Sequence, residues 1–263
     1  MGKGYIYAEV FVMKKLFSIA LLSIVMVFPF VGCSDDETST SLQFPDVKVP
    51  EAKVFSAEPS PEWVTKLPEA DTAKQLFVVA AYEGTTAWIS MHEKDKSGKW
   101  QMIMSTPGFI GKNGLGKTKE GDGMTPVGTF SFNRAFGNSS DPGVTAFEYV
   151  KADSNTYWSG DVREGMHYNE LVSLKDYPDL DKKESERIVD YPIHYQYCLN
   201  ISYNAKGEPG KGSAIFLHVF GDRKPYTGGC VAIPLDMMRF VMKNVVKNCV
   251  VIIDSLENLG GSF

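Results

Sequence analysis

The stretch HVFGDRKPYTGGCVAI, residues 218–233, sets a histidine, His218, at the end of an apolar run and a cysteine, Cys230, twelve positions later, directly after Gly228 and Gly229. A thiol with its ordinary pKa of about 8.5 is only a few per cent thiolate at neutral pH, so a cysteine that attacks a carbonyl needs a base or a positive charge beside it. His218 is that base if the loop FGDRKPYTG folds back on itself. Two glycines before the cysteine let the backbone turn sharply, and the amides of Gly229 and Cys230 then become natural donors to an oxyanion. The chemistry these residues point to is nucleophilic attack by a thiol assisted by a base. Spacing alone leaves a second reading open, in which Cys230 is a buried thiol in a tight turn and His218 is satisfied by its neighbours at a strand end.

The other candidates read as structural. Cys198 and Cys249 are most simply core thiols, with a disulfide between them as the alternative; Cys198, Cys230 and Cys249 are three, so they cannot all pair. His92, His167 and His194 fall on strand or loop surfaces without ligand spacing, and no C-x-x-C or Cys/His cluster offers a metal site. Neither a metal nor an organic cofactor is expected.

The elements that must position this pair are mostly strands. QLFVVAAYEG, TAWISMHEK and KWQMIMSTPGFIG read as three successive strands, SAIFLHVF as a central strand apolar on both faces, and CVVIID as the last. In HYQYCLNISYN the period of two turns Tyr195, Tyr197, Leu199, Ile201 and Tyr203 to one side and Cys198 to the other. PEWVTKL reads as a short helix. PLDMMRFVMKNVVKN, residues 234–248, reads as the one good helix, with Pro234 first, Asp236 in its first turn and Lys247 in its last. Six glycines between Gly111 and Gly128 forbid a helix there and imply an ordered, irregular loop. Residues 133–190 read as a long irregular insertion. The fold class expected is mainly β.

SAIFLHV followed by TGGCVAI resembles the C-terminal signature of the L,D-transpeptidases of the YkuD type, and GKNGLGKTKEGDGMTPVGTFSF resembles that family's Gly-rich segment with its Thr-Pro-x-Gly-x-Phe core, in the expected order. The likeness covers roughly residues 75–254. It implies a small β-sandwich with one or two short helices, whose cleft holds the cysteine, and attack on the bond between an L-centre and a D-centre of peptidoglycan stem peptides. Carried over by position, Cys230 is the nucleophile, His218 the base and Gly229 an oxyanion donor, with Arg223, Thr227 and Gly228 toward the substrate. The chain departs from the family where Gly228 replaces a common second histidine, where Ala232 replaces a common arginine, and in its short interval from His218 to Cys230. Arg223 and Lys224 are candidates for a stem-peptide carboxylate, or two solvated loop charges. A hydrolase such as an L,D-carboxypeptidase and a catalytically silent wall-binding lipoprotein remain alternatives.

The N-terminal run from Lys14 through Leu16 to Phe30, ending in FVGC, reads as an export signal closing on a lipobox at Cys33, with Met13 the true start; an uncut anchor or a plain secreted protein is the other reading. Residues 34–72, acidic and then Pro-containing, read as a flexible tether, leaving 73–263 as the catalytic domain. The expected location is the cell envelope, facing the periplasm or the cell surface, with a lipid anchor as the membrane contact. A net charge of -5 with scattered Lys and Arg gives no footprint for nucleic acid.

Overall fold

The computed structural model describes residues 53–221 and 224–262. Cys33, the signal-like run before it and Arg223 lie outside the described residues. In chain order the elements are β1 (Lys53–Pro59), α1 (Glu62–Thr65), β2 (Gln75–Glu83), β3 (Thr86–Lys94), β4 (Trp100–Phe109), β5 (Gly128–Gly137), β6 (Tyr149–Lys151), β7 (Thr156–Trp158), β8 (Leu171–Ser173), β9 (Glu186–Arg187), β10 (Cys198–Ile201), β11 (Phe216–Val219), β12 (Val231–Ile233), α2 (Leu235–Asn244) and β13 (Val250–Ser255). The protein is mainly β, as expected.

The apolar, β-branched and aromatic runs of β2, β3 and β4 pair antiparallel in sequence order. The main sheet continues β4–β12–β11–β10–β5–β13–β2–β3, and because β3 also pairs with β4 it closes on itself. Closure removes free edges along that path. Parallel pairs occur at β11–β12 and β13–β2.

Side chains alternate across the sheet. Leu199 and Ile201 of β10, Leu217 and Val219 of β11, and Val231 and Ile233 of β12 join one apolar core with Met237, Met238, Val241 and Met242 of α2. The residues between them face the other way, where Cys198, Phe216 and Cys230 pack with Phe136, Trp158, Ile188 and Tyr195. The period of two therefore sorts each strand into a packing face and a second face that the insertion covers.

Four expectations need correction. The ordered part begins before residue 73: β1 pairs with β4, and Val64, Leu67 and Ala70 are buried with Leu76, Val78 and Trp88. The short helix expected in PEWVTKL is present as α1, but a single turn among prolines and charges gave no sign that it packs on the domain. The insertion is not wholly irregular, for β5 runs to Gly137 and β8, β7 and β9 form a small sheet of two- and three-residue strands too short to show a period. Tyr195 leaves the β10 alternation because it sits in a 3-10 turn, His194–Gln196, and joins the Cys198 side. Helix α2 ends at Asn244, with Pro234 as its N-cap and Lys243 in its last turn. Buried Gln75 stops it, donating to the Asn244 carbonyl at 2.9 Å and accepting the Val246 amide at 2.9 Å, which satisfies groups that a helix end leaves open.

Candidate active site

Strands β11 and β12 lie side by side and parallel, with Leu217 beside Val231 and His218 beside Ala232. Cys230 therefore enters at the start of β12, level with Phe216, and shares a face with His218. Both line a cavity of about 520 Å³, within the range of small-molecule sites. After the undescribed residues 222 and 223, Lys224, Tyr226, Thr227 and Gly228 line the same cavity.

The turn that presents Cys230 is tied from two directions. Thr227 Oγ1 accepts the Gly229 amide at 3.0 Å and donates to the Cys230 carbonyl at 2.7 Å. Thr125, the threonine of the Thr-Pro segment and wholly buried, donates its hydroxyl to the Gly229 carbonyl at 2.8 Å and accepts the Gly111 amide at 2.8 Å. The Gly-rich segment thus clamps the cysteine turn. Gly229 has φ of 143°, and a Cβ there would come within 2.8 Å of the Met124 carbonyl oxygen, so this position requires glycine. Two consequences bear on the expected roles. The Gly229 amide is engaged by Thr227, which leaves Cys230 as the amide on which an oxyanion donor role rests. The Thr227 hydroxyl is spent inside the turn and shapes it.

Cys230 Sγ donates to the Ala214 carbonyl at 3.1 Å and accepts the Phe216 amide at 3.3 Å. Burial pushes its pKa up to about 12; the Phe216 hydrogen bond and Lys117 pull the other way, and the charge of Glu186 adds to the rise. Burial likewise pushes Cys249 up to about 12 and raises Cys198 well above its usual value. Cys198 and Cys249 lie in different apolar clusters and are free thiols. His218 Nδ1 lies 2.8 Å from the Val219 carbonyl. A carbonyl only accepts, so Nδ1 carries the proton and Nε2 keeps the basic lone pair. Burial pulls the imidazole down to about 4, with the charge of His194 acting in the same direction. Thiol and imidazole are both neutral at rest.

The insertion and the Gly-rich loop supply residues that the motif did not reveal. His194, read as an ordinary surface residue, lines the cavity with its ring 5.8 Å from that of His218, and its Nδ1 is 3.3 Å from the same Val219 carbonyl. A Cβ on Gly221 would come within 2.7 Å of that ring, so glycine makes room for it. Trp158 packs on Phe216 and donates to Asn169, whose Oδ1 also accepts the Ala214 amide at 3.0 Å. That chain holds Ala214, at φ of 55°, with its carbonyl against the Cys230 thiol. In the Gly-rich loop Asp122 accepts the amides of Thr118, Lys119 and Met124 and pairs with buried Lys117 at 3.0 Å. Gly228, where the resembled motif has a histidine, opens on space: a Cβ there meets nothing within 4 Å.

The family model for the L,D-transpeptidase catalytic domain, YkuD, matches residues 85–253. No curated protein matches the chain. Among solved structures it is similar to the helical cell shape determining protein Pgp2 from Campylobacter jejuni, at 17% identity and a TM-score of 0.37, over 69% of this chain and 48% of that one. The chain thus spans about half the length of that protein.

Proposed function

Since the chain belongs to the L,D-transpeptidase catalytic domain family, we propose that it transfers the acyl group of a peptidoglycan stem peptide through a thioester on Cys230. The observation that carries this reading is the pairing of a thiol and a Nε2-basic imidazole on one cavity wall. The thiol proton, which rests on the Ala214 carbonyl, turns to His218 Nε2 as Sγ bonds to the carbonyl carbon and the carbonyl pair moves onto oxygen. Collapse of that adduct expels the amine, which takes the proton from the imidazolium and leaves the acyl group on sulfur. An amine or water then accepts the acyl group, giving transpeptidation or hydrolysis.

Neutral partners suit this order, because the proton moves only when a carbonyl is present to accept the sulfur. General acid-base help of this kind is worth about a hundredfold to ten-thousandfold. Lys112 and Lys224 at the cavity are positioned for a carboxylate of the substrate.

Incubating the protein with a tetrapeptide-bearing muropeptide, with and without an amine acceptor, and weighing the products tests the reading. A product heavier by the acceptor means transpeptidation, and loss of the terminal residue alone means carboxypeptidase action. No change in either arm means a silent wall-binding protein and overturns the proposal. A carbapenem is expected to leave its acyl mass on Cys230.

The same reading places the protein in the cell envelope, anchored through lipid on Cys33. Labelled fatty acid should enter the wild-type chain, and Cys33→Ser should release it from membranes; a variant that stays membrane-bound refutes the anchor.

A further inference from the structure

Glu186 is the residue to which neither the motif nor the proposed chemistry gives a task. Strand β9 sets it opposite Trp158 of β7, and Trp158 is fixed against Phe136 and Phe216. From there its side chain reaches the wall of the cavity that holds Cys230. Tyr195 donates its hydroxyl to Glu186 Oε2 at 2.7 Å, and no other hydrogen bond or ion pair reaches this carboxyl among the described residues. Oε1 is left to accept. The Tyr195 ring packs against Tyr191 at a tilt of 38°, centroids 4.6 Å apart, and both residues line the cavity.

We propose that Glu186, with Tyr191 and Tyr195, forms an ammonium-binding subsite that selects a substrate carrying a free amine close to the carbonyl under attack. This rests on the acyl-transfer reading above and names the substrate chemistry it takes. A fixed carboxylate oxygen beside two aromatic rings is the donor set that an ammonium satisfies, by a charged hydrogen bond and by attraction to the ring faces. The cations of the cavity do not already occupy it. Lys117 is locked to Asp122, and Lys112 and Lys224 come from the Gly-rich loop and the His–Cys loop, not from the insertion. The other carboxylate, Glu120, is engaged through Oε2 by Tyr168 at 2.6 Å and Ser213 at 2.9 Å. Burial raises the Glu186 pKa above the usual carboxylate range, with the Tyr195 hydrogen bond opposing the rise, and a bound cation offsets the cost of keeping it ionised.

The amine has two possible sources, a side chain of the donor peptide or the acceptor. The test follows Cys230 acylation in the full chain by intact mass. One donor is a stem tetrapeptide whose third residue is diaminopimelate, and the other is the same peptide with its side-chain amine acetylated. The free-amine donor is expected to acylate about tenfold or more faster, as a hydrogen bond to a charged group commonly contributes. Glu186→Gln keeps the shape and should bring that ratio near one, while any general change in thiol reactivity cancels in the ratio. Tyr195→Phe keeps the ring, frees the carboxylate and should narrow the ratio, so the test survives if one variant folds poorly. If instead the ratio is one in the wild type and Glu186→Gln slows only consumption of the thioester by an added D-amino acid, the subsite serves the acceptor, which also supports it. Equal ratios in wild type and Glu186→Gln, with equal thioester consumption, overturn the subsite alone. Acylation by neither donor overturns it together with the acyl-transfer reading.

Discussion

Cys249 and Cys230 are both pushed up to about 12 by burial, and His92 and His218 are both pulled down by it, to about 3 and about 4. Of these four, Cys230 and His218 line the cavity and Cys249 and His92 do not. Cys249 packs in the apolar core with α2, and His92 is held between the hydroxyls of Ser60 at 2.9 Å and Ser90 at 2.7 Å. Desolvation alone therefore perturbs a packing residue as far as a cleft residue. What separates the pairs is the open space beside them.

Substitutions in matched pairs test that separation. Cys230→Ala should abolish acylation by a stem peptide. Cys249→Ala should keep the acylation rate per folded molecule and lower stability by about 1 kcal/mol, read from a denaturant midpoint. Acylation by Cys230→Ala protein at the wild-type rate would place the nucleophile elsewhere.

The histidines come next. His218→Ala should slow acylation about a hundredfold to ten-thousandfold with little change in melting temperature. His92→Ala should do the reverse, because it leaves buried Ser90 and half-buried Ser60 without their partner. A His218 variant with near-wild-type acylation would remove that residue from the mechanism.

Thr125 joins the Gly-rich loop to the cysteine turn. Thr125→Val keeps the shape but strands the buried Gly111 amide and frees the Gly229 carbonyl, at about 1–3 kcal/mol of stability. Acylation per folded molecule should fall too, since the turn that aims Cys230 loosens. Loss of stability without loss of rate would make the clamp purely structural.

The smallest expected effect is on pH dependence. His92 and His218 have folded pKa values below the unfolded value of about 6.5, so the unfolded chain binds more protons as pH falls, and stability is lost between about 6.5 and the folded values of about 4 and about 3. The thiols act oppositely. Their folded values of about 12 exceed an unfolded value of about 8.5, so their contribution is complete below that and is lost as pH rises toward 12. Melting temperature should therefore peak between these limits, and His92→Ala should soften its acid side. Acylation in the wild type should hold level at neutral pH and fall only where His218 protonates, near pH 4.

The strands and the turn that carries Cys230 were legible in the sequence for local reasons. Runs such as QLFVVAAYE are continuously apolar, the paired glycines before Cys230 declare a turn, and the order of the two motifs points to one family. Cys198 could be assigned to the face opposite Leu199 and Ile201 because the period of two is a property of the chain itself. The same cues failed where elements are shorter than a period, as in β7, β8 and β9, which are held by partners distant in sequence. Closure of the sheet through β3 and β4, the clamp of Thr125 on the cysteine turn, the two neutral partners, and the arrival of Glu186, Tyr195 and His194 at the cavity were decided by tertiary structure alone. Each depends on burial or on a contact between residues far apart in the chain, and desolvation and long-range contacts leave no pattern in local spacing.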